Sequence, residues 1–91
     1  MKKISAMFKN EITKKILLFF NENPQCIDTA KGISVWIGQE PEEVKKALDK
    51  LVKEDILINH KTMSIDAYSY TNQREIVRSV EIYIKKNLKN I

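Results

Sequence analysis

Ninety-one residues, 43% hydrophobic and 31% charged with two glycines and two prolines, describe one helix-leaning globular domain over 1–91. They exclude a disordered tail or a fibrous chain. A chain this short buries only ~60–65% of its unfolded surface, so a partner subunit is an ordinary way to cover the remainder. The single cysteine, Cys26, cannot form an internal disulfide or support a zinc site; no metal or other cofactor is expected, and the default location is cytoplasmic. The longest wholly apolar run is Ile16-Leu17-Leu18-Phe19-Phe20, far short of the ~20 residues that span a bilayer, so a soluble chain is expected. The apolar stretch at the start is cut by Lys9, which argues against a signal peptide.

Sixteen basic against twelve acidic residues give a net charge of +4, unevenly spread. Residues 1–15 hold five lysines and one glutamate, 16–58 hold five lysines and eight acids, and 59–91 hold six basic and three acidic groups. Positive ends flank an acidic middle.

In chain order, the first helix is expected from an N-cap at Ser5 to about Asn21, with Phe8, Ile12, Ile16 and Phe20 recurring every fourth residue and Leu17 beside them. Asn23 before Pro24 stops it. Asp28 is expected to cap a short second helix from Thr29 to Ile37, which Gly38 ends because glycine adopts positive φ at least cost. Pro41, Glu42 and Glu43 suit the start of a third helix, the carboxylates compensating the helix dipole. Val44, Ala47, Leu48, Leu51 and Val52 form its apolar stripe. Ile56-Leu57-Ile58, a polar tip over 59–64, and Ile65 to Thr71 read as a β-hairpin. Asn72 with Glu75 resembles a capping box that opens a last helix, about 72–90, with Ile76, Val77, Val80, Ile84 and Leu88 apolar.

Helix, helix, glycine turn, helix and hairpin, with TAKGISVWIGQEPEEV at 29–44, resemble a winged helix-turn-helix. Ile33 and Ile37 fall where that family's second helix places its leucines, Ser34 at its small inward position and Gly38 at its turn glycine. Val44, Leu48 and Leu51 take the anchoring positions of the recognition helix, and Asp55 stands where a glycine commonly ends it. Tyr68-Ser69-Tyr70-Thr71 resembles the end of the second wing strand in small prokaryotic repressors of the multiple-antibiotic-resistance (MarR) and arsenical-resistance (ArsR) types. The resemblance covers 12–71. It implies a mainly α fold with a small hairpin, flanked by N- and C-terminal helices, acting as a DNA-binding transcriptional regulator.

By that resemblance Lys45, Lys46 and Lys50 take groove positions and Lys61, with His60, the wing, on double-stranded DNA. Lys2, Lys3, Lys9, Lys14 and Lys15 are candidates for flanking phosphate contacts. Residues 28–57, however, hold five lysines against seven acids, whereas affinity for DNA rests on neutralising phosphate. The alternative is a winged-helix module that meets another protein through Trp36 and the acidic start of the third helix. Trp36 either packs under the hairpin or a terminal helix, or stands exposed as an interface anchor. Val77, Val80, Ile84, Asn87 and Ile91 recur at spacings of three and four, a short seam that suggests a homodimer, or else packing on the first helix. No Gly-rich phosphate loop, nucleophile motif or metal-ligand spacing occurs, so no enzyme is expected.

Overall fold

The computed structural model describes residues 4–87, with side chains from Ala6 to Lys86. The side chains of Ser5, the proposed cap, and of the seam member Asn87, together with Lys2, Lys3, the seam member Ile91 and the apolar Leu88 of the last helix, therefore fall outside what is described. The elements are α1 (Ile4–Met7), α2 (Glu11–Glu22), β1 (Ile27–Thr29), α3 (Ala30–Ile37), α4 (Pro41–Lys53), β2 (Leu57–Lys61), β3 (Asp66–Tyr70) and α5 (Arg74–Asn87).

Where one first helix was expected, the chain makes two. Asn10 is the N-cap of α2, its side chain accepting from the Thr13 N–H at 3.0 Å, and the backbone turns between Met7 and Glu11. A capping asparagine satisfies a donor that the start of a helix leaves unpaired, and here it outweighs the continuous apolar stripe. Phe8 still joins the core from that turn, stacked on Tyr83 with centroids 4.6 Å apart. At the other end Asn23 closes α2, both its backbone N–H and its side-chain amide donating to Phe19 O at 2.9 Å.

Thr29, rather than Asp28, caps α3, its hydroxyl accepting from the Gly32 N–H at 3.1 Å. Asp28 instead accepts from the Thr29 N–H at 2.7 Å, within a strand that sequence periodicity did not indicate. This strand, β1, lies antiparallel to β3, with Ile27 opposite Ser69 and Thr29 opposite Ala67. The sheet order is β1-β3-β2. Gly38 ends α3 at φ 69°, and the N–H groups of Gly38 and Gln39 both donate to Ser34 O. α4 then begins with Pro41 in its first turn, as expected.

Asp55 terminates α4 at φ 64°, with its own N–H donating to Val52 O and that of Ile56 to Leu51 O. This paired closure normally favours glycine in the left-handed residue. β2 runs three residues past the expected end at Ile58, while β3 is one residue shorter at each end than expected, leaving 62–65 as the tip, and Thr71 N–H to Ile56 O at 3.0 Å closes the base. α5 opens at Arg74, not through an Asn72 cap. The hydroxyl of Thr71 accepts from the Gln73 N–H, and Gln73 O receives the first N–H groups of the helix.

Ile16, Leu17, Phe20, Ile33, Val44, Leu48, Leu51, Ile56, Tyr68 and Val80 are the most deeply buried side chains, and they join one core between the helices and the sheet. Each aliphatic or Phe side chain withdrawn from water in this way stabilises the fold by about 1.5–3 kcal/mol. The core fixes α4 by its inner stripe and leaves its other side, together with the hairpin tip, facing outward.

Candidate nucleic-acid interface

The outward side of α4 divides into two halves. On the hairpin side, the Lys45 ammonium donates to the Tyr68 hydroxyl at 3.0 Å, to Asp49 Oδ2 at 3.2 Å and to Asp66 Oδ2 at 3.3 Å. Tyr68 in turn donates to Asp49 Oδ1 at 2.6 Å, and Asn59 donates to Asp66 Oδ1 at 2.6 Å. Five side chains thereby fasten α4 to β2 and β3. Donation to the Tyr68 hydroxyl and the Asp49 carboxylate holds the Lys45 pKa well above the usual lysine range. The amide of Asn59, followed by Lys45, holds the Asp66 carboxyl below its ordinary value. Burial, then the Asp49 carboxylate, pushes the Tyr68 hydroxyl up.

On the opposite half, Lys46 and Lys50 border a groove with Glu43, Ala47, Asn10, Ile12 and Thr13, where α4 faces the start of α2. The Lys46 side chain is 78% exposed, with only a loose pair to Glu43 at 3.9 Å. Lys50 also reaches the neighbouring cleft, about 240 Å³ in volume, beside Met7, Leu51 and Glu54. Glu42 and Glu43 are exposed in the first turn of α4. Lys9 is exposed as well, whereas Lys14 is paired with Glu11 at 3.3 Å.

Lys61 ends β2 opposite Asp66 and is exposed at the hairpin tip. His60 precedes it, its Nε2 lying 2.7 Å from the Ser69 hydroxyl. The tip is organised by Thr62, whose hydroxyl accepts from the N–H groups of Ser64 and Ile65. The four expected DNA-contacting lysines thus occupy one side of the molecule in part only. Lys46 and Lys50 stand together, Lys61 is separate on the hairpin, and Lys45 is enclosed by acceptors between them.

The expected interface residues also separate. Trp36 is 72% exposed and meets Phe19 at 6.1 Å between ring centroids, so it does not pack under the hairpin or a terminal helix. Val80 corrects the seam reading: it is fully buried in the chain's own core and has no surface to offer a partner. Val77 and Ile84 are half-buried against that core, and Ile82, which the seam omitted, is the exposed apolar residue of α5. Cys26 is half-buried in the loop before β1, and burial, then Asp28, raises its thiol pKa. Among the described residues no three His, Cys, Asp or Glu side chains converge to hold a metal ion. No helix among them is long and apolar enough to cross a membrane.

No protein-family model matches this chain, and no curated protein sequence does. Solved structures do match it. AntR, described as an antimony-specific transcriptional repressor, gives a TM-score of 0.75 at 14% identity, over 96% of this chain and 76% of AntR. HlyU from Vibrio cholerae gives 0.67 at 16% identity, over 97% and 99% of the two chains. A mutant of ZitR from Lactococcus lactis gives 0.65 at 20% identity, over 89% of this chain and 56% of its own. At these identities the likeness establishes the fold: a winged helix-turn-helix, in which α3 and α4 form the bihelical unit and β2–β3 the wing.

Proposed function

We propose that this chain is a DNA-binding transcription regulator that lays α4 in the major groove of duplex DNA and its wing along the neighbouring backbone. The observation that carries this reading is the exposed pair Lys46 and Lys50 on one side of α4, beside a wing that ends in Lys61. In winged helices this helix and hairpin are the elements that meet DNA, and AntR, which has the same fold, is a transcriptional repressor. Lys46 and Lys50 take phosphate oxygens or guanine edges, Lys61 takes a backbone phosphate, and Glu42 or Glu43 accepts from cytosine N4. Lys45, committed to three acceptors, serves the same surface by holding helix and wing at a fixed angle. The protein acts as a homodimer in the cytoplasm, paired through α5 around Ile82, with Val77 and Ile84 beside it.

A salt titration of binding to mixed duplex fragments, followed by sequencing of what is retained, tests the reading. Each phosphate contact adds ~0.9 to the slope of log K against log salt. Lys46→Glu is expected to weaken binding on all sequences and lower that slope by about one contact. Absence of binding at low salt overturns the assignment.

A further inference from the structure

One face of α2 carries, at spacings of three, four and seven, Lys15, Leu18, Phe19 and Glu22. These four residues line a shallow groove of about 430 Å³ with Trp36 and Ile37 of α3. Its apolar floor therefore has a cation at one end and an anion at the other. The two charged groups are separated by seven residues, or ~10 Å along the helix, too far to pair within the chain. Neither Lys15 nor Glu22 makes an ion pair among the described residues, although Lys14 next door is paired with Glu11. Trp36, the only tryptophan, stands 72% exposed over Phe19 at the centre of this face.

We propose that this face is a self-association surface whose occupant is the same face of a second copy, related by a two-fold axis. A two-fold interface sets each patch against itself. Antiparallel pairing of two α2 helices brings Lys15 of each copy to Glu22 of the other, with the two Trp36 rings and Leu18 side chains closing the centre. No unrelated partner is needed to explain the placement of opposite charges at the two ends of one apolar strip, because the strip is complementary to its own reverse. The tryptophans supply the contact area that usually dominates such interfaces, and the ion pairs fix the antiparallel register. The surface is separate from α5 and does not depend on the DNA-binding proposal. Together with pairing through α5 it would join dimers into a larger assembly.

The test uses the full chain without DNA, by sedimentation and by Trp36 emission over a concentration series. Average mass is expected to rise with concentration while the emission shifts to the blue, since Trp36 is the sole reporter and leaves water in the contact. Trp36→Ala is expected to abolish that mass step. Lys15→Glu and Glu22→Lys, each of which opposes like charges twice, are expected to weaken it roughly tenfold. The double variant K15E/E22K restores the opposite-charge pairing and is expected to recover association. All three positions are exposed or half-buried, and an unchanged circular dichroism spectrum verifies folding in each variant. An emission maximum that ignores concentration, or a double variant as defective as the single ones, overturns the proposal; pairing through α5 alone gives the first of these results.

Discussion

The Lys45 ammonium and the Tyr68 hydroxyl lie 3.0 Å apart across the seam between α4 and β3, and this contact lies at the junction of α4 and the wing. Tyr68 is almost wholly buried yet keeps its hydroxyl between a cation and the Asp49 carboxylate. Replacing it by Phe leaves the packed ring and removes both bonds. Because Lys45 and Asp49 are half-exposed, water compensates for much of the loss, and Tyr68→Phe is expected to cost about 1 kcal/mol in denaturant unfolding. Faster hydrogen exchange at the amides of β2 and β3 is the readout specific to a loosened wing. Unchanged exchange with normal stability would mean that packing alone sets the angle.

Tyr70 presents the opposite case. Its ring packs on Phe20 at 5.9 Å, and its hydroxyl is a buried polar atom with no hydrogen-bond partner among the described residues. An unsatisfied buried hydroxyl is destabilising, so Tyr70→Phe is expected to leave stability unchanged or raise it by about 1 kcal/mol at neutral pH. Burial, then the Glu81 charge, pushes its pKa up to about 12 from an ordinary value of 10.0. A folded-state pKa above the unfolded one gives stability that is complete below pH ~10 and lost as pH rises toward the folded value. The wild type is therefore expected to lose stability between pH 10 and about 12 more steeply than Y70F. Lys45 and Tyr68 are also pushed up, so the variant keeps part of that alkaline loss.

Gly32 is set by a close approach and not by its backbone angle. A Cβ added there would fall on the Asp28 carboxylate, whose Oδ1 accepts from the Thr29 N–H at 2.7 Å. Gly32→Ala must displace that carboxylate and break the bond at the start of α3. The expected loss is at most about 1 kcal/mol, the broken hydrogen bond being partly offset by alanine's better helix propensity, read as a lower midpoint in urea. Combining it with Asp28→Ala is expected to recover part of the loss, since the obstructing group is then gone.

The apolar spacing of α2, α4 and α5 and the glycine turn at Gly38 were legible in the sequence because each depends on neighbours within a turn or two. Asn10 was hidden because Phe8 continues the four-residue stripe across the break. β1 has three residues and exists through its pairing with Ser69, Tyr68 and Ala67, about forty positions away, so no local period announces it. Lys45 read as an outward lysine on a helix. Its acceptors Asp66 and Tyr68 lie 21 and 23 residues on, and only the packing of the hairpin against α4 brings them together. Val80 shares the spacing of the expected dimer seam because that spacing marks the inward face of α5 equally well. Burial distinguishes the two readings, and periodicity cannot.

Gly38 and Asp55 end the two helices of the bihelical unit with nearly the same left-handed backbone, φ 69° and φ 64°, but with different residues. An L side chain in that conformation crowds its own carbonyl at a cost of roughly 1–2 kcal/mol, less for aspartate. At Gly38 an added Cβ would meet nothing within 4 Å, so Gly38→Ala isolates the backbone cost, and a loss of about 1 kcal/mol is expected. At Asp55 the strain is already present in the wild type. Asp55→Gly is therefore expected to raise stability by about 0.5 kcal/mol, the relief being partly offset by the freer unfolded chain. Asp55→Ala should lower it instead. Thermal unfolding of the four proteins side by side checks the order D55G, wild type, then D55A and G38A together. An Asp55→Gly variant less stable than wild type would show that the aspartate side chain contributes more at the end of α4 than its conformation costs.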